Sequence, residues 1–266
     1  MLRSMYSGIS GMKNFQTKLD VIGNNISNVN THGFKKGRTV FKDMVSQSIA
    51  GASAPVAATK GGTNPRQVGL GAQLAAIDTI QTQGSLQTTG RALDLSISGD
   101  GFFQVTDGTN TLYTRAGNFY MDREGNIVNS DGLYLQGANG AIEIPTDAQS
   151  MSIDANGVVS YVDTDGELQE VDTIQIAKFA NPDGLQKVGE NLYEETVNSN
   201  AAGEIIVANP GEDGTGTIVA GALEMSNVDL SEEFSEMIVA QRGFQANTRI
   251  ITTSDEILQE LMSMKR

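Results

Sequence analysis

Cysteine is absent from the 266 residues, which excludes disulfide staples, thiol nucleophiles and zinc–thiolate centres. Tryptophan is absent as well, and histidine occurs once, at His32 beside Gly33. One histidine in a glycine turn does not make a Ser–His–Asp arrangement. The missing tryptophan also weakens a second class of reading, a secreted β-rich binding or adhesion module built on an aromatic platform. No window approaches the roughly 18 consecutive apolar residues of a membrane span. The N-terminal stretch lacks the uninterrupted apolar run of a cleaved secretory signal. Basic residues are scarce, 18 Lys and Arg against 32 Asp and Glu, for a net charge of −14. No basic stripe follows a nucleic-acid backbone or an anionic membrane, so the expected partners include neither nucleic acid nor a membrane to insert into. Neither GxxxxGK[ST] nor GxGxxG occurs, so no nucleotide cofactor is expected.

What is present begins with two amphipathic patterns at opposite ends. Near the start, Leu2, Met5, Ile9, Met12, Phe15, Leu19, Ile22, Ile26 and Val29 recur in steps of three and four, as along one helix face. A phase slip falls between Ile9 and Phe15, where two steps of three adjoin. Near the end, Leu230, Phe234, Met237, Phe244, Ile251, Leu258 and Met262 lie on a second seam, with polar Gln241, Thr248 and Asp255 interspersed. Asp229 and Glu232 resemble a capping box, and Lys265 and Arg266 suit the C-terminal dipole.

Glycines at 8, 11, 23 and 243 each cost roughly 1 kcal/mol in a helix interior. They also permit close backbone approach. The pattern predicts helices that are weak alone and ordered by packing, either against each other or between molecules. Asn24 and Asn25 interrupt the first helix; their amides either fix register across packed helices or belong to a solvated last turn. Gly33 is placed as the residue that ends the helix in the left-handed conformation.

Between the helices the character changes. Short runs of Val, Ile, Leu, Phe and Tyr alternate with Asp-Gly pairs at Asp100, Asp107, Asp131, Asp165, Asp183 and Asp213, a hairpin signal. The segments "LYTRAGNFYMDREGNIV" and "SIDANGVVSYVDTDGELQEV" read as hairpins. The expected fold class is α+β. Terminal amphipathic helices pair as a coiled-coil-like inner domain, and a central domain is antiparallel and all-β. The expected boundaries are 1–32 for the first helix, 33–75 for an extended connector, 76–223 for the β domain and 224–266 for the second helix.

Carboxylates are the remaining source of chemistry. Asp94 and Asp100 in "LDLSISGDGFF" could be an acid–base pair, but Asp100-Gly101 reads better as a turn. "DTDGE" departs from calcium-loop spacing and reads as a hairpin turn. No enzyme, no metal site and no cofactor is expected.

Three stretches resemble one family. "LDVIGNNISNVNTHGFK" is similar to the N-terminal signature of bacterial flagellar rod and hook proteins, "GSLQTTGRALDLSISGDGFFQV" to the entry of their β domain, and "GALEMSNVDLSEEFSEMIVAQRGFQANTRIITTSDEILQEL" to their C-terminal signature. "LDVIGNNI", "FKDM" and "MSNVDLS" are hook-like, so the resemblance implies a short hook subunit that polymerises into the helical tube joining rod to filament and transmits torque. The alternative is the distal rod subunit of the basal body. A bulkier residue is usual in the family where Gly243 stands, which puts local helix stiffness in question.

The resemblance implies a homopolymer whose inner wall is made of the two seams named above, with Asn24 and Asn25 setting register. It implies rod and hook–filament junction proteins, the hook cap and the flagellar export apparatus as partners. It implies a location in the extracellular hook or the hook–basal body, reached without a cleaved signal peptide.

Overall fold

A computed structural model describes residues 2–55, 61–200 and 205–264; Lys265 and Arg266, and the side chain of Leu2, lie outside the described residues. Two helices stand near the ends of the chain, with short strands between them in sequence. Helix α1 is Leu2–Ser27 and helix α2 is Leu230–Met264. The chain divides into two compact units. One gathers 1–26, 37–78 and 229–266; the other gathers 27–36 and 79–228.

In the first unit, α1 and α2 pair antiparallel. Gly8 faces Ile251, Gly11 faces Asn247 and Phe15 faces Gly243, so numbers rise along one helix as they fall along the other. Asp229 starts α2, its carboxylate accepting from Ser231 N at 2.8 Å, as an N-cap should. The segment 37–78 does not trail between domains. Strand Gly37–Asp43 pairs with Ala72–Thr79, and Gln47–Ala50 pairs antiparallel with Arg66–Val68. The expected boundary at 75/76 falls inside a strand.

Helix α1 ends at Ser27, well before Gly33. Turns from Asn28 to Gly33 follow, with Thr31 N bonded to Asn28 O. Gly33 is therefore not the helix-ending residue. It holds φ +70° for another reason: a Cβ there would meet Ala116 N at 2.5 Å and the Arg115 carbonyl carbon at 2.7 Å. Only glycine admits that backbone-to-backbone approach.

The second unit is the antiparallel β body. Its central sheet runs through Gln186–Gly189, Leu192–Glu194, Thr111–Thr114, Phe102–Thr106, Tyr134–Gly137, Ile127–Val128 and Tyr120–Met121. A three-stranded meander, Ser150–Ile153, Val158–Val162 and Leu168–Thr173, adjoins in sequence. Asp107-Gly108, Asp131-Gly132 and Asp165-Gly166 stand at hairpin turns, with each glycine at positive φ. Asp100-Gly101 links strands that pair with different partners: Leu95–Ser98 bonds Thr217–Ala220, while Phe102–Thr106 bonds Thr111–Thr114. The core holds Leu95, Ile97, Phe103, Val105, Phe119, Ile127, Leu135, Ile174, Ile176 and Ile218, with Phe103 and Phe119 edge to face at 5.4 Å.

Candidate functional site

The paired helices carry the seam residues, and their burial redraws both seams. Along α2 the covered residues are Glu233, Met237, Ala240, Gly243, Phe244, Asn247, Ile251, Ser254 and Leu258; every other position from 230 to 264 is exposed. Leaving Gly243 aside, that stripe keeps a strict heptad rhythm, as packing of two helices requires. Met237, Phe244, Ile251 and Leu258 belong to it. Leu230, Phe234 and Met262 do not: they are 39%, 51% and 74% exposed. The alternate seam positions are filled instead by Glu233, Ala240, Asn247 and Ser254. Small and polar residues there let the two backbones come close, which an apolarity count cannot detect.

Along α1 the correction is similar. Met5, Met12, Phe15, Leu19, Ile22, Asn25 and Ile26 are covered, while Ile9 and Asn24 are exposed. Val29 is half-buried beyond the helix end. With Gly8 in place of Ile9 the rhythm runs unbroken from Met5 to Ile26, so the phase slip disappears. Gly8 is buried, and a Cβ there would lie 3.3 Å from Ile251.

Gly243 is the notch for Phe15. A Cβ at 243 would lie 2.5–2.8 Å from three carbons of the Phe15 ring. A bulkier residue would expel that ring, so the departure at 243 is a packing match and not a flaw in the helix. Gly23, by contrast, has nothing within 4 Å of its Cβ direction.

Asn25 is 1% exposed and locks three segments of the first unit together. Its Nδ2 donates to Gly37 O at 2.9 Å and to Glu233 Oε2 at 3.2 Å, and its Oδ1 accepts from Gly37 N at 2.9 Å. A buried amide bonded on both sides tolerates only one helix register. Asn25 thus makes directional bonds within one chain. Lys18 reaches Glu236 Oε2 at 2.6 Å, but both side chains are partly exposed, at 23% and 48%. That pair adds at most about 1 kcal/mol.

The second unit contains a buried ionic node that sequence reasoning missed. Lys35 and Glu224 have fully buried side chains and are ion-paired through Nζ and Oε1. Arg115 Nη1 donates to Glu224 Oε2 at 3.2 Å and Nη2 to Gly99 O at 2.8 Å. Lys35 Nζ also donates to Thr82 O at 2.8 Å, and Gly84 N donates to Glu224 Oε1 at 2.9 Å. Burial pushes the Lys35 ammonium below the usual lysine range, while Glu224 opposes the shift. Asn227 completes the tie, accepting from Lys36 N and donating to Ile80 O. The last turn before the strands of this unit and the stretch just before α2 are thus joined by charge and by amides. The only sequence signal was a glutamate among apolar residues in "GALEM".

His32 lies in the turn before Gly33, its carbonyl accepting from Asn191 Nδ2 at 3.1 Å. Asp94 is buried and accepts from Thr89 Oγ1 at 2.7 Å, so its carboxylate serves the local turn. The "DTDGE" segment closes a hairpin, with Asp163 N bonded to Glu167 O. Among the described residues, no group of three or more His, Cys, Asp or Glu could hold a metal ion, and no helix is long and apolar enough to cross a membrane.

Comparison with known families matches these same regions. Residues 5–35 match the model described as "Flagella basal body rod protein", 96–161 "Flagellar hook protein FlgE/F/G D1 domain" and 219–264 "Flagellar basal body rod FlgEFG protein C-terminal". The chain is 62% identical to the flagellar basal-body rod protein FlgG of Bacillus subtilis (strain 168), with all of both chains covered. It is 41% identical to the FlgG of Borreliella burgdorferi, again over all of both chains. To the flagellar hook protein FlgE of that organism it is 32% identical, over an alignment of 445 positions. The two signature segments and the β body between them place the chain in the family of flagellar hook and basal-body rod proteins, structural components of the flagellum.

Proposed function

We propose that this chain is a distal rod subunit, polymerising with identical copies into the tubular shaft of the basal body. The observation that carries the reading is the 62% identity to a basal-body rod protein across the full length of both chains. The hook reading drawn from "LDVIGNNI", "FKDM" and "MSNVDLS" yields to its alternative: the hook relative needs a 445-position alignment to span a chain of 266 residues. A rod subunit transmits torque without chemistry. Its partners are further copies and the neighbouring rod and hook subunits, reached through the flagellar export apparatus.

The assembly surface combines the two helix seams with the apolar residues they leave outside. Leu230, Phe234, Ile238 and Val239 are 39–62% exposed near the start of α2, and Leu261, Met262 and Met264 are 47–77% exposed near its end. Apolar area of this kind gains about 25 cal/mol per Å² when a neighbouring copy covers it. Labelled antibody against the chain, applied to isolated hook–basal bodies, tests the reading. Label on the shaft below the hook is expected; label along the hook would return the assignment to the hook.

A further inference from the structure

We propose that Asp213–Gly214 in the β unit is a modification site, where isoaspartate forms spontaneously with help from Lys178. The reaction needs no enzyme. The Gly214 amide nitrogen attacks Cγ of the Asp213 carboxyl and a C–N bond forms. The carboxyl hydroxyl leaves with the amide proton as water, and a five-membered succinimide results. Water then opens the ring. Attack at the side-chain carbonyl restores aspartate. Attack at the main-chain carbonyl leaves the chain running through Cβ, with a free α-carboxylate, which is isoaspartate. The water lost in the first step returns in the second, and nothing is oxidised or reduced. Glycine after the aspartate favours the attack because no Cβ crowds the nitrogen.

The chain carries six Asp-Gly pairs, and the fold restrains the other five. Gly132 N donates to Asn129 O at 3.2 Å, Gly166 N to Asp163 O at 2.9 Å and Gly184 N to Asn181 O at 3.2 Å. Gly108 N donates to Thr106 Oγ1 at 3.1 Å. Gly101 is buried, and a Cβ there would collide with Ile176. The carbonyl of its partner Asp100 is held as well, accepting from Gly216 N at 2.7 Å. Ring closure at any of these pairs first has to break a hydrogen bond or move the core.

At Asp213–Gly214 both residues are exposed, and Gly214 N has no acceptor among the described residues. The pair forms the centre of a turn closed by Thr215 N on Glu212 O at 2.8 Å. Its φ angles are +48° and +74°. A residue with a side chain occupies that left-handed region at a cost, so Asp213 leaves its native backbone conformation readily. Lys178 supplies the activation. Its Nζ lies 3.4 Å from Asp213 O, the carbonyl of the very peptide whose nitrogen attacks. An ammonium there draws electrons from the peptide and favours loss of the Gly214 N–H proton, as a nearby cation favours any forming anion. Lys178 makes no salt bridge among the described residues, so its charge acts on that carbonyl and leaves the Asp213 carboxyl free.

The test is peptide mapping of the full chain after warm incubation at neutral pH. Electron-transfer fragmentation places the isoaspartate, and methyl transfer from labelled S-adenosylmethionine to its α-carboxylate counts it. Isomerisation leaves the mass unchanged, which separates it from deamidation of asparagine. In the folded chain isoaspartate is expected at Asp213 ahead of the other five Asp-Gly pairs, and in denaturant that lead should vanish. Lys178→Met should slow formation at Asp213 about threefold, the effect of removing one cation near a forming charge, and should leave the other five pairs unchanged. Asp213→Glu would require a six-membered ring and should abolish the signal at that position. Isoaspartate spread evenly over the six pairs of the folded chain, or led by another pair, overturns the site. A rate at Asp213 unmoved by Lys178→Met overturns the part given to Lys178.

Discussion

The two units treat apolar surface in opposite ways. The β unit buries Leu95, Ile97, Phe103, Val105, Ile174 and Ile176 completely, at 0% exposure. The helical unit instead uses glycine, alanine, serine and asparagine along half of its seam, and leaves Phe234, Ile238 and Val239 51–62% exposed. One unit closes a core within its own chain, with Leu168, Val188 and Val197 left 64%, 55% and 100% exposed on its surface. The other has a register, set by Asn25 and by the Phe15–Gly243 fit, but an uncovered outer face. On the assembly proposed above, stability and assembly fall to different parts of one molecule, and substitutions can separate them.

The largest effect is expected at the ionic node. Glu224→Ala leaves Lys35 and Arg115 buried without their shared carboxylate, and breaking such a pair from one side costs about 3–5 kcal/mol. Denaturant unfolding followed by β-sheet circular dichroism should show the loss. An unchanged midpoint would mean that solvent reaches the node.

High pH should attack the same unit. Burial raises Tyr113 and Tyr193 to about 12 from an ordinary 10.0. The neutral form is favoured in the fold, so this stability is whole below pH 10 and is lost as pH rises from 10 to 12. A rise of that size corresponds to about 2–3 kcal/mol per tyrosine. Lys35 has the opposite sign: its lowered value makes stability rise with pH up to 10.5, where that contribution is complete. A thermal midpoint that falls between pH 10 and 12, and falls less in Tyr193→Phe, checks the assignment.

Asn25→Leu should come next and should act on the helical unit alone. It removes the partners of Gly37 N, Gly37 O and Glu233. The expected cost is about 2–3 kcal/mol, well above the few tenths gained from leucine as a helix former. Amide exchange should quicken along α1 and α2 while the β core keeps its protection. Equal loss in both units would show that the two are not energetically separate.

The same contrast governs what could be read in advance. The hairpins were legible because Asp-Gly turns and β-branched runs act locally. The helices were legible from their period, and Met237, Phe244, Ile251 and Leu258 lie on the covered stripe of α2. The other half of each seam was not, because Gly8, Ala240, Asn247 and Ser254 are defined by what faces them. The node was hidden for the same reason: Lys35 and Glu224 are 189 residues apart in the chain, and nothing local marks either as buried. The segment 33–75 read as a connector because its strands pair with one another, or rest against helices, and expose most of their side chains.

The smallest effect on folding should come from the exposed face. Phe234→Ser is expected to change monomer stability by no more than about 0.5 kcal/mol. The same change should raise the polymerisation threshold roughly tenfold, since covering a phenylalanine contributes about 1.5–3 kcal/mol. A threshold unchanged beside an unchanged midpoint would remove that face from the assembly surface.

The most direct test of this division of labour is amide hydrogen exchange on the full chain, compared between verified monomer and polymer. The strands Phe102–Thr106 and Ile176–Lys178 should be strongly protected in both states, and α2 should be weakly protected in the monomer and strongly in the polymer. Protection of α2 equal to that of the β core in the monomer, and unchanged on assembly, would contradict the account.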